Sequence, residues 1–343
     1  MPMYRSQVSR PKRRGFTLLE MLVVVALLIT LLTITVAIGP RLADEQRTSR
    51  AADVFQGWLL IAKQRAYRDG AARGIRLVRD ADNPNLVRSA VFIEVPEDFR
   101  DLGVDNGSGG KNYSFRLRVN PAPNNQVAFI LNTTVNLAGQ QTILPGDYLR
   151  LDTAPYSLHR INQVQFRPGQ GGTRLVLASA TGQPSRVSLD NGQPLNTTDY
   201  RIIRAPRPMV GEANLQMPKD VAIDLDPSTY GSSFLPPYTN VPAPGGVAGR
   251  EIDIIFGPKG QLVGDTAAST GKLVLRIRNV DHSPDGQTTI GSNSYNVYQR
   301  GDQTLLTIYT RTGLIAAHPV NHSDLSNLSS AYDFVRDGKS SGL

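Results

Sequence analysis

The sequence predicts an α+β fold in which a long N-terminal membrane-spanning helix leads into a β-sheet-rich globular domain. Three observations carry that prediction. Residues 16 to 39 form an apolar run holding a single charge, Glu20. Residues 41 to 69 repeat apolar side chains at three- and four-residue steps, the signature of an amphipathic helix. The remainder alternates apolar and polar residues with a period of two, between stretches rich in Gly, Pro and Asn. A chain of 343 residues with 40% hydrophobic content has enough material for a sizeable core.

The first element is a basic leader over residues 1–15, with Arg5, Arg10, Lys12, Arg13 and Arg14 and no acid. It accounts for five of the eight net positive charges, so the rest of the chain carries only a weak field. The second element is the apolar run. As a helix, Phe16 to Gly39 spans roughly 36 Å, enough to cross a hydrocarbon core of about 30 Å. Positive charge ahead of the run favours an N-terminus inside and a domain outside. A secretory signal peptide and a plain signal anchor are the competing readings; the first wants a shorter apolar region, and the second leaves Glu20 without an account. A carboxylate in the apolar part of a membrane helix costs at least about 2.5 kcal/mol, so it has to be paired, protonated or close to the headgroups.

The stretch Lys12-Arg13-Arg14-Gly15-Phe16-Thr17-Leu18-Leu19-Glu20-Met21-Leu22 resembles the signal of type IV prepilins and type II secretion pseudopilins. The resemblance implies that prepilin peptidase cuts between Gly15 and Phe16 and that Phe16 becomes an N-methylated first residue. It also implies that Glu20 forms an assembly salt bridge with the new amine of a neighbouring subunit. The implied partners are prepilin peptidase and other pilin or pseudopilin subunits. The implied location is a single pass of the inner membrane with the domain periplasmic, followed by incorporation in a filament.

Residues 40–70 read as a continuation of the helix, so that both pieces together make a pilin spine. Val54, Phe55, Trp58, Leu59, Ala62 and Ala66 form its expected apolar stripe, Trp58 being expected in the core, and Gly70 is the expected stop. Pro40 is expected to bend the helix or to mark a short break. Residues 71–343 form the β-rich domain. Its expected strands are Ile75–Val78, Val87–Val95, Tyr113–Val119, Val127–Leu131, Ile161–Phe166, Arg174–Ala178, Val221–Leu225, Glu251–Phe256, Lys272–Arg278, Leu305–Tyr309 and Leu314–Ala317. Alternation is clearest where Tyr113, Phe115, Leu117 and Val119 oppose Ser114, Arg116 and Arg118. Ser228 to Gly249 suggests a subdomain break. Ile254 to Gly260 and Leu306 to Gly313 are similar to the late strands of FimT-type minor pilins and GspH-like minor pseudopilins, from which the long segment 100–240 departs.

No catalytic constellation is evident, and the chain does not read as an enzyme; no cofactor and no metal site are expected. The absence of cysteine excludes thiolate chemistry. His318 and His322 are four apart, but Pro319 lies between them, which argues against a helix that would align them on zinc. Asp220, Asp224 and Asp226 alternate as an exposed strand face would. Arg116 with Arg118, and Arg201 with Arg204 and Arg207, suggest local basic patches, with a solvated strand face as the plainer reading; nucleic acid is not an expected partner. The function expected is a structural subunit of a type IV pilus or secretion pseudopilus. The alternatives are a membrane-anchored periplasmic binding module and a DNA-binding minor pilin.

Overall fold

The computed structural model describes residues 17–119, 127–132, 134–152, 157–179, 195–225, 251–264, 271–281, 286–290, 293–297, 303–321 and 332–337. One helix, Leu18–Asp69, covers both predicted helical segments. No break occurs at Pro40, which removes one hydrogen bond and leaves the backbone helical on either side. The helix stops at Gly70 with φ 62°, a left-handed cap that glycine adopts without a Cβ penalty.

Phe55, Leu59, Ala62 and Ala66 are buried as expected, but the stripe is rotated slightly from the predicted one. Ala51 and Ala52 join it, whereas Val54 is 41% exposed. Steps of four from Ala51 to Phe55 to Leu59 stay on one line of the helix, and Val54 falls off it by about 100°. Trp58 packs against this core, edge-on to Phe55 with ring centroids 5.9 Å apart.

The stripe lies on a 10-stranded sheet. Its spatial order is Leu262–Val263, Glu251–Phe256, Arg73–Arg79, Leu86–Glu94, Val221–Asp224, Lys272–Asn279, Gln303–Tyr309 and Ile315–Pro319. Two short strands, Arg207–Pro208 and Leu215–Gln216, also pair with Leu86–Glu94. The face towards the helix supplies Ile75, Leu77, Ile254, Phe256, Leu275 and Leu306, all buried. Each such side chain contributes about 1.5–3 kcal/mol by leaving water, so the helix is fixed by its second half alone.

The opposite face overturns one expectation. Asp224 is not on an exposed face; it is 1% exposed and accepts from Arg278 Nε at 2.7 Å. The alternation around it arises because both faces of the Val221–Asp224 strand are covered, apolar side chains on one and a buried ion pair on the other. Asp226 and the proposed break at 228–249 lie outside the described residues.

The long middle segment builds a second, 7-stranded sheet with a core of its own. Its order is Leu195–Thr197, Arg116–Val119, Val127–Leu131, Gly172–Ser179, Ser157–Arg167, Tyr148–Leu151 and Tyr200–Ile203. The first and last strands are consecutive in the chain, separated only by Thr198 and Asp199, so the sheet curls round and closes into a small barrel. Leu117, Ile130, Leu149, Ile161, Leu175 and Ile202 fill the interior at 0% exposure. The barrel is inserted at a single point, because Glu94 and Arg207, which bracket it in sequence, are directly paired in the first sheet. Arg207 closes the junction by donating to Asp147 at 2.8 Å and to the Gln141 carbonyl at 2.6 Å. Asp147 also accepts from the N–H groups of Leu144 and Ala205.

Candidate assembly and processing site

The helix begins with a reciprocal cap. Thr17 is extended, at φ −79° and ψ 153°, and its Oγ1 accepts from the Glu20 N–H at 3.2 Å. Glu20 Oε2 accepts in turn from the Thr17 N–H at 3.3 Å. Two of the donors that every helix start leaves open are thereby satisfied, and a carboxylate sits at the positive end of the helix dipole. This role for Glu20 was missed in the sequence, although Thr17-Leu18-Leu19-Glu20 has the Thr-x-x-Glu spacing of such a cap. Gly15 and Phe16, the expected positions of cleavage and methylation, lie outside the described residues.

Above the cap, every large apolar side chain from Leu18 to Leu32 is exposed, from 47% at Val24 to 84% at Leu18. The two hydroxyls in this stretch turn inward on the backbone: Thr30 donates to the Leu27 carbonyl at 2.8 Å and Thr33 to the Ile29 carbonyl at 2.7 Å. The surface presented is therefore apolar on all sides, with Glu20 as its one charge. Among the described residues no helix is long and apolar enough to cross a membrane; described side chains in this run end at Thr33, short of the stretch to Gly39. In the second half of the helix Val54, Leu60, Ile61 and Tyr67 remain exposed.

The helix is held to the end of the domain by Lys63, to which sequence reasoning gave no role. Its Nζ donates to the carbonyls of Thr312, at 3.2 Å, and Gly313, at 2.8 Å. Gly313 lies in the turn between Gln303–Tyr309 and Ile315–Pro319, with φ 58°. A Cβ there would run into the carbonyl oxygen of Gly260, at φ 82° in the turn after Phe256. The two glycine turns singled out in sequence thus meet each other and the helix at one lysine.

Other candidates resolve into structure. Arg201 reaches Asp152 at 3.0 Å and Asp98 at 3.8 Å, and Arg207 is held by Asp147. Burial, and then the neighbouring charge of Arg207, hold the Arg204 guanidinium below its usual range. His318 is buried in an edge strand, and His322 lies outside the described residues. Burial pushes the phenols of Tyr200 and Tyr332 well above their ordinary range, so both are neutral packing groups.

No curated protein and no solved structure matches the chain. The capped helix start and most of the apolar run lie within residues 10–36, and those residues match the family model of the prokaryotic N-terminal methylation motif: the chain carries a type IV prepilin-like signal.

Proposed function

We propose that this chain is a structural subunit, a minor pilin or pseudopilin, of a type IV pilus or type II secretion pseudopilus. In this reading prepilin peptidase cuts after Gly15 and methylates Phe16, and the subunit then assembles through its N-terminal helix. One observation carries the reading: the apolar half of the helix is exposed all round, while the domain completes its cores without it. A surface of that kind needs lipid before assembly and other helices afterwards. Storage as a single-pass inner-membrane protein with a periplasmic domain meets the first need, and packing among subunits meets the second.

Glu20 acts as the register mark. In the uncut chain its carboxylate caps its own helix, and cleavage adds a cationic amine at Phe16 beside it. A neighbouring subunit's amine competes for a carboxylate that already holds one hydrogen bond, which rewards a single axial offset between helices. The exposed Val54, Leu60 and Ile61 extend the contact surface beyond the membrane segment. The resemblance of Ile254 to Gly260 and Leu306 to Gly313 supports a FimT-type or GspH-like subunit. The role is structural and not catalytic, with no cofactor or metal.

The test is mass analysis of the N-terminus of protein made with and without prepilin peptidase. The expected result is a methylated Phe16 terminus only when the peptidase is present; an intact Met1, or a cut near Ala37, refutes the proposal. Glu20→Leu is expected to leave processing largely intact and to abolish filament incorporation, and normal incorporation of that variant contradicts the pairing.

A further inference from the structure

One wall of the barrel separates charge in a way that folding does not require. Arg116–Val119, Val127–Leu131, Ser157–Arg167 and Gly172–Ser179 contain Arg116, Arg118, Arg160, Arg167 and Arg174 and no Asp or Glu. Register places most of these side by side. Arg118 faces Phe129, Phe129 faces Arg174, and Arg174 faces Gln165. In the adjacent row Arg116 faces Leu131, Leu131 faces Gly172, and Gly172 faces Arg167. Directly paired residues share a face, so Phe129 and Leu131 form a partly exposed apolar centre with guanidinium groups on both flanks. The patch is about 14 Å across four strands, and about 7 Å separates Arg116 from Arg118 along their strand.

The neighbouring wall is built differently. There Arg150 and Arg201 share Asp152, at 2.8 and 3.0 Å. On the acid-free wall Arg167 donates instead to the neutral side chains of Gln165 and Gln170. A solvated strand face has no need to exclude carboxylates from four consecutive strands, and the like charges repel one another.

We infer that this wall is a docking surface for single-stranded nucleic acid. Arginine forks match phosphate oxygens, and two of them flanking one flat aromatic, with two more in the next row, give the backbone-tracking and base-stacking pair that sequence-tolerant single-strand binding needs. A duplex keeps its bases inside and offers such a wall phosphates only, leaving Phe129 unused. The inference does not depend on how the subunit assembles.

The experiment uses the full chain in detergent and a fluorescently labelled, mixed-sequence single-stranded DNA of 20 nucleotides, read by anisotropy as salt is raised from 50 mM. Binding is expected with a log–log salt slope of about −2 to −3, for three or four neutralised phosphates. Arg116→Gln with Arg118→Gln and Arg174→Gln, with unchanged thermal melting, is expected to weaken binding at least tenfold and flatten the slope. Phe129→Leu is expected to weaken it about five- to tenfold with the slope kept. Three results overturn the inference: no binding at 50 mM salt; wild-type binding by the triple arginine variant, which places the contact elsewhere, such as the basic leader; or equal binding of duplex DNA, heparin or anionic vesicles with no effect of Phe129→Leu, which makes the wall a general polyanion surface.

Discussion

Asp224 and Lys63 show how single side chains fix the domain. Asp224 is almost fully buried against Arg278, and the geometry rewards the charge only while both partners are present. Asp224→Ala is expected to cost about 3–5 kcal/mol, read as a fall in the urea midpoint with unchanged slope. Lys63 is more exposed and its acceptors are neutral carbonyls, so Lys63→Ala is expected to cost less, about 1–2 kcal/mol. Gly313→Ala is expected to exceed it. That substitution adds a Cβ at positive φ and drives it at the Gly260 carbonyl, so the hairpin has to move away from the helix. A Gly313→Ala variant as stable as the parent would mean that the turns and helix are not locked together.

Among the elements, the barrel contains a group that responds to mild acid. His159 pairs with Leu149 and points with it into the interior, where it is 4% exposed. Burial holds its imidazole below the ordinary value near 6.5. The unfolded chain therefore takes up the proton first, and the stability is fully present above that ordinary value and declines as pH falls below it. The melting temperature is expected to drop between pH 7.5 and 5.5, and His159→Gln is expected to remove that drop. Much of the elements' layout was legible. Leu117 and Val119 alternate with Arg116 and Arg118, and Gly70 announces the end of the helix. The barrel's closure was not legible, because it depends on Thr198 and Asp199 turning one segment so that it pairs with two distant strands. Tyr148–Leu151 and Tyr200–Ile203 are too short to show periodicity alone. The pairing of Glu94 with Arg207 is a long-range register, which local pattern does not encode. The cap was legible in Thr17-Leu18-Leu19-Glu20 and was obscured by reading Glu20 only as a charge in lipid.

At the scale of the molecule, two cores are joined where the chain crosses between them after Glu94 and before Arg207, with Arg207 bonded to Asp147 at the junction. Leu177 belongs to the barrel and Leu275 to the helix-backed sheet, both fully buried. Leu177→Ala is expected to cost about 2–5 kcal/mol and to lower hydrogen-exchange protection in the barrel strands, while the strands around Leu275 keep theirs. Equal loss in both would show a single cooperative unit. The separation fits a subunit whose spine and sheet answer to assembly while the inserted barrel faces a different partner.

The reciprocal bonds between Thr17 and Glu20 give the spine a self-sufficient beginning. With the scissile bond that we propose at Gly15, everything upstream can be discarded without unwinding a turn or withdrawing a partner from any backbone amide of the cap. Trimming would then leave the shape of the subunit as it was and place a cation beside the Glu20 carboxylate at the tip, so that maturation is announced to other copies by a new charge and not by a refolded body.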